Sequence, residues 1–116
     1  MTCSMKFEVI ATPHFRKSLK ALIKRHRSMK SDFVAFATSL KENPLQGDEL
    51  CPGIRKIRMA ITSKGRGKSG GTRVITYTVL ATEESGTVYL VEIYDKADYS
   101  TVDVGILQHL IKDINL

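Results

Sequence analysis

Seven cations and no carboxylate lie between Glu49 and Glu83: Arg55, Lys56, Arg58, Lys64, Arg66, Lys68 and Arg73. A one-signed stretch of this kind attracts polyanions and steers them at long range. Its candidate partners are nucleic acid or an acidic protein, and the plainer alternative is a solvated basic face. Within the stretch, residues 62–71 read TSKGRGKSGG, a loop with four glycines. Glycine lets a backbone come close to the loop, so Lys64, Arg66 and Lys68 there become candidate RNA contacts, together with Arg55. The loop also spells two nucleotide-binding motifs. Gly65, Gly67 and Gly70 give G-x-G-x-x-G, and Gly67-Lys68-Ser69 matches the end of a P-loop. Both motifs need a helix immediately afterwards to receive the phosphate at its N-terminus. Here the loop runs instead into Arg73-Val74-Ile75-Thr76-Tyr77, which reads as a strand, and the P-loop's first glycine is replaced by Thr62.

Other chemistries have little support. His14, His26 and His109 do not stand at ligand spacing, and no carboxylate cluster opposes the basic segment as an Mg²⁺ site would require. The expectation is therefore no metal and no cofactor. His26 continues an apolar helix face and reads as a partly buried structural histidine. Cys3 and Cys51 have no base assigned and no metal-ligand spacing. With no secretion signal at the start they are expected to be reduced thiols in the cytoplasm. The whole chain carries 18 basic and 12 acidic residues over 116 positions. Residues 1–82 hold 16 basic and 5 acidic side chains, whereas residues 83–116 hold 2 and 7. The length and the 42% apolar content describe one domain over residues 1–116 rather than two, and no apolar run is long enough for a membrane span.

The elements that must position these cations follow from periodicity. Residues 5–11 alternate as a half-buried strand. Thr12-Pro13 reads as a helix cap followed by proline at the first helical position. Phe15, Leu19, Leu22, Ile23 and His26 then form one helix face. Arg16, Lys20, Lys24 and Arg27 form a second stripe, with Lys17 and Arg25 beside it, either solvated or covered by a partner. A second helix runs from about 31 to 42 and stops at Asn43-Pro44. Residues 43–53 read as loop, 54–61 as a strand, 72–80 as a strand rich in β-branched residues, and 87–94 as a central strand. A last helix is capped at Ser100 or Thr101 and extends to about 114. The order β-α-α-β-β-β-α gives an α+β fold: a helical hairpin packed on a small antiparallel sheet, with a C-terminal helix.

Three stretches carry a family resemblance: residues 53–60 (GIRKIRMA), 64–75 (KGRGKSGGTRVI) and 89–96 (YLVEIYDK). They resemble the RelE/ParE toxin superfamily, closest to the HigB-like RelE toxins of type II toxin–antitoxin modules. The likeness extends more loosely over the helical hairpin and Asn43-Pro44-Leu45-Gln46-Gly47. It implies a ribosome-dependent, metal-independent mRNA endoribonuclease that blocks translation. Its partners would be the ribosome, mRNA and a cognate antitoxin with a helix-turn-helix. The alternatives on the same fold are a ParE-like inhibitor of DNA gyrase and a non-catalytic nucleic-acid binder.

RNA cleavage without metal uses the ribose 2′-hydroxyl as nucleophile. It needs a base, an acid for the 5′-oxygen, and cations for the crowded phosphorane. A positioned acid or base contributes roughly 10²–10⁴-fold, and one preorganised donor roughly 10²–10³-fold. By resemblance, Lys56 and Arg58 match the basic strand residues, Arg73 the phosphate-stabilising arginine, and Lys96 the basic residue after the last strand. The family's tyrosine further into the C-terminal segment is replaced by Val102. Tyr94 and Tyr99 are the nearby candidates for the base, a role that requires neighbouring cations to lower the pKa. His109 is the one histidine near the C-terminus.

Overall fold

Thr12 both ends the first strand and starts the first helix. Its Oγ1 accepts a hydrogen bond from the Phe15 N–H at 3.2 Å, and its own N–H is held by the Leu90 carbonyl at 3.1 Å. The computed structural model describes residues 6–65, 67, 71–98, 103–112 and 114. Strand β1 (Lys6–Ala11) leads into helices α1 (Pro13–Arg25) and α2 (Met29–Glu42). Strands β2 (Asp48–Cys51), β3 (Ile54–Met59), β4 (Thr72–Thr82) and β5 (Ser85–Asp95) come next, and helix α3 (Val104–Lys112) is last. The architecture is α+β. One five-stranded sheet has the order β1-β5-β4-β3-β2, antiparallel except that β1 pairs parallel to β5. The helical hairpin carries the chain from β1 at one edge of the sheet to β2 at the other, and the antiparallel strands then return so that β5 lies parallel beside β1.

Two apolar clusters flank the sheet. On one face, Phe15 and Leu22 of α1 and Met29, Phe36 and Leu40 of α2 pack on Phe7, Ile57, Met59, Val74, Val88, Leu90 and Ile93. On the other face Leu107 of α3 packs with Ile54, Ile75, Val91 and Tyr94. Leu90 and Ile93 belong to the helix-hairpin face and Val91 and Tyr94 to the other, a phase change that a bulge in β5 produces. The β4–β5 register slips between Ile75 and Thr76, so Val91 has no directly opposite residue.

Two segments differ from the periodicity reading. Residues 43–53 are not all loop, because β2 forms inside them and pairs antiparallel with β3. Gly47 and Gly53 take φ of 79° and 84°, and with Pro52 they bound a four-residue edge strand rather than exclude one. A Cβ on Gly47 would lie 2.3 Å from the Lys56 carbonyl oxygen, so only glycine allows this close entry to the strand. The loop after β3 also has structure at its start, a 3₁₀ turn over Thr62–Lys64. Polar side chains of α2 and its cap hold that turn. Asp32 accepts from the Thr62 N–H at 2.9 Å and from its hydroxyl at 2.6 Å, and Ser28 Oγ accepts from the Ser63 N–H at 2.8 Å. No helix among the described residues is long and apolar enough to cross a membrane.

A cationic row on the sheet as the candidate functional site

Alternation along the strands decides which cations share a face. Ile54, Ile75 and Tyr94 belong to the α3 side, so Lys56, Arg58 and Arg73, each an even number of residues away on its own strand, lie on that side too. The register places Arg58 opposite Arg73, and Arg73 opposite Tyr94. One row lower, Lys56 stands opposite Ile75, and Ile75 opposite Glu92. Directly opposed side chains sit about 4.5–5.5 Å apart at Cβ, and like charges so placed are destabilising. Arg58 is exposed and Lys56 half-buried, while Arg73 is 5% exposed and donates from Nη1 to the Thr72 carbonyl at 3.2 Å. Lys96 is exposed, and its N–H binds the Gly71 carbonyl at 3.1 Å, which ties it to the start of β4 beside the row.

Tyr94 closes the row. Burial pushes its phenol above the ordinary tyrosine range; Arg73 pulls it down and Glu92 pushes it further up. That direction is opposite to the one a general base needs. The expectation of a cation-lowered tyrosine therefore does not hold at Tyr94, because desolvation outweighs the arginine beside it. Tyr94 stays protonated at neutral pH and can donate but not accept a proton.

The other candidate contacts are divided. Arg55 lies an odd number of residues from Lys56 and so faces the helix-hairpin side. Its Nη1 donates to the carbonyls of Leu45 at 3.1 Å and Gly47 at 3.2 Å, clamping the approach to β2. Lys64 is also engaged, with its ammonium on Asp95 Oδ1 at 3.0 Å. Arg66, Lys68 and Tyr99 fall outside the described residues, as do Cys3 and the expected helix caps Ser100 and Thr101. Cys51 is a free, half-buried thiol. His109 is exposed on α3.

Asp95 is the residue that sequence reasoning missed. It is 1% exposed and gathers three hydrogen-bond partners and one further cation. Its Oδ1 takes Lys64 Nζ and the Ala97 N–H at 2.9 Å, its Oδ2 takes His26 Nε2 at 2.9 Å, and Arg25 Nη2 stands 3.6 Å away. Burial alone would raise this carboxyl, yet the hydrogen bonds from Ala97, Lys64 and His26 hold it below its ordinary value. Arg25 reaches on to Asp98 at 2.6 Å. His26 is thus the half-buried structural histidine its position suggested. The available signal was strand parity: with Tyr94 on the α3 side of the sheet, the acid next to it on β5 had to face the helices and find cations there.

A hollow of about 650 Å³ lies elsewhere, between β1, the start of α1 and α3. Ile10, Pro13, Tyr89, Leu110 and Ile114 make it mainly apolar. His14 stands at its rim, with Nε2 at 2.6 Å from Glu92 Oε2. The lining suits an apolar group rather than a phosphate. Among the described residues no group of three or more His, Cys, Asp and Glu side chains could hold a metal ion. The glycine motif is followed by β4 and not by a helix, so the loop presents no helix N-terminus to a nucleotide. No protein-family model matches the chain.

Proposed function

We propose that this chain is the toxin of a toxin–antitoxin pair, a ribosome-dependent endoribonuclease that cuts mRNA in the cytoplasm and is neutralised by a helix-turn-helix antitoxin. The observation that supports it most is the placement of Arg58 directly opposite Arg73, with Lys56 on the same face and Lys96 at the same end. Two like charges directly opposite each other in a ladder repel, whereas a phosphorane would draw on both. In this reading the 2′-oxygen attacks the adjacent phosphorus and the bond to the 5′-oxygen breaks. A 2′,3′-cyclic phosphate and a 5′-hydroxyl remain. The proton of the 2′-hydroxyl leaves to a base and another reaches the departing oxygen. Arg58 and Lys96 meet the non-bridging oxygens from the exposed side. Arg73 supplies a positive charge from inside the sheet, where water screens it little. Tyr94, held protonated, acts only as a donor.

The test is induction of the chain alone in bacterial cells. The expected outcome is growth arrest with new mRNA ends inside translated regions, read by primer extension, and recovery on co-expression of the antitoxin. Intact messages alongside halted DNA replication would replace this reading with gyrase inhibition.

A further inference from the structure

The outer face of α1 is electrostatically unfavourable as a free surface. Between Glu8 and Asp32 the chain has no acidic residue. Arg16, Lys17, Lys20 and Lys24 are all exposed, and at 3.6 residues per turn they fall within about 100° of the helix circumference. Arg27, just past the helix end, is exposed as well. Among the described residues none of these five forms an ion pair, in contrast to Arg25, which reaches Asp98. Arg16–Lys20 and Lys20–Lys24 are like-charged pairs at i,i+4, each destabilising. The first turn has no acid, so Arg16 also opposes the positive end of the helix dipole. The core-facing residues Phe15, Leu19, Leu22 and Ile23 need none of this charge.

We infer that this ridge is a second RNA-docking surface, shaped for the phosphate backbone of a double-stranded RNA segment. It lies on the helical side of the sheet, away from the Arg58–Arg73 row, so a second RNA element occupies it. Composition decides the class of partner. Protein interfaces are depleted in lysine and anchored by aromatic and apolar side chains, and from Arg16 onward the exposed positions of α1 are three lysines, two arginines and Ala21. Single-stranded sites add aromatic platforms for stacking bases, but the one phenylalanine of α1, Phe15, is buried. A duplex needs no such platform and is recognised through its backbone and shape. The cations repeat at i,i+4, a rise of about 6 Å, on a rigid support. The inference rests on the ribonuclease reading only for its setting, since duplex binding is measured without cleavage.

The experiment measures the affinity of the purified chain for an RNA duplex of about 16 base pairs and for a single strand of equal length, across a salt series. The ridge variant carries Arg16→Gln, Lys17→Gln, Lys20→Gln and Lys24→Gln. The control carries Lys6→Gln, Lys30→Gln, Lys41→Gln and Lys112→Gln, all exposed positions outside the ridge. Each duplex contact steepens log K against log salt by about 0.9. The ridge variant should therefore flatten the duplex slope by up to about 3.6, leave the single-strand slope nearly unchanged, and melt at a higher temperature because repulsion is relieved. The control should move the duplex slope by less than about 1. Equal flattening by the control would overturn the inference, as would a loss confined to the single strand. A ridge that loses a polyglutamate peptide while keeping the duplex would make the surface a protein site instead. Arg73→Ala separates the two readings. If it abolishes cleavage and keeps the duplex slope, both stand. If cleavage never occurs but the ridge slope is as stated, only the ribonuclease reading fails. If Arg73→Ala itself flattens the duplex slope, the duplex lies on the sheet and the ridge is not its site.

Discussion

The end of β5 separates two groups of cations. Tyr94 points to one side, where Arg58 and Arg73 stand opposite each other. Asp95 points to the other, where Lys64, His26 and Arg25 converge on one buried carboxylate. The two groups lie within one residue of each other along the strand, yet they do opposite things. Around Asp95 the charges are neutralised inside the fold and tie three elements together: the end of α1, the turn after β3 and β5. In the row, the ladder sets an arginine directly opposite an arginine, where the other side sets an acid. A basic residue count cannot distinguish the two groups, but position relative to the nearest carboxylate does.

The two groups part most visibly at Arg73. Arg73→Ala should lose roughly 10²–10³-fold of cleavage, the scale of one lost charge-stabilising donor, with the circular dichroism spectrum and antitoxin binding retained. Arg73→Lys should recover part of the rate, because lysine keeps the charge but not the planar fork. Full cleavage by folded Arg73→Ala would remove this residue from the site. Loss of the fold in both variants would place Arg73 in the structural group with Asp95. The neighbouring Arg58→Ala gives the contrasting reading: cleavage falls while thermal stability holds or rises, since a like-charged cross-strand pair is removed.

Asp95→Asn should have the reverse profile, a large loss of stability. Removing the charge from a buried pair typically costs about 3–5 kcal/mol, and Lys64, Arg25 and His26 all face that carboxylate. Chemical denaturation would read the change. The same carboxyl sets an acid response. Its folded pKa is depressed, so its stabilisation is fully present above the unfolded value of about 3.9 and is lost as pH falls through the folded value. Asp32 adds to this with the same sign. Burial would raise its carboxyl, and the Thr62 and Ser28 hydrogen bonds prevail and lower it. The wild-type protein should therefore lose stability on acidification below about pH 4, and Asp95→Asn should lose less over the same range. A variant as acid-sensitive as the wild type would show that the carboxyl does not carry this term.

Much of this division was legible in the sequence. The helical hairpin, its Thr12-Pro13 start and the three-strand meander follow from apolar spacing alone, because each element buries one face. Lys56 and Arg58 were legible as a pair, since period-two alternation puts them on one face of their strand; that Arg73 shares that face is set by the β3–β4 register. β2 was not, because four residues between Gly47 and Gly53 carry no period, and only pairing with β3 makes them a strand. The parallel docking of β1 depends on where the returning strands bring β5 and not on the six residues of β1 themselves. The role of Lys64 was hidden for a different reason. In sequence it stands with Arg66 and Lys68 in a glycine-rich, acid-free loop, and its partner Asp95 lies 31 residues away.

Lys64 is also where the smallest effect sharpens the comparison. As a loop cation it would contribute to RNA affinity, and as a member of the Asp95 group it would not. Its ammonium is 3.0 Å from a buried carboxylate oxygen and its side chain is 19% exposed, so a phosphate would have to displace that contact. Asp95 keeps His26 and the Ala97 N–H when Lys64 is removed, so no unpaired charge is left behind. Lys64→Ala should accordingly cost only about 1–2 kcal/mol, the worth of one charged hydrogen bond. On single-stranded RNA its salt slope should match that of the wild type, whereas a lost phosphate contact would flatten it by about 0.7. Unchanged stability with a flattened slope would return Lys64 to the RNA-binding loop, and the boundary between the two groups would then run through Asp95 itself.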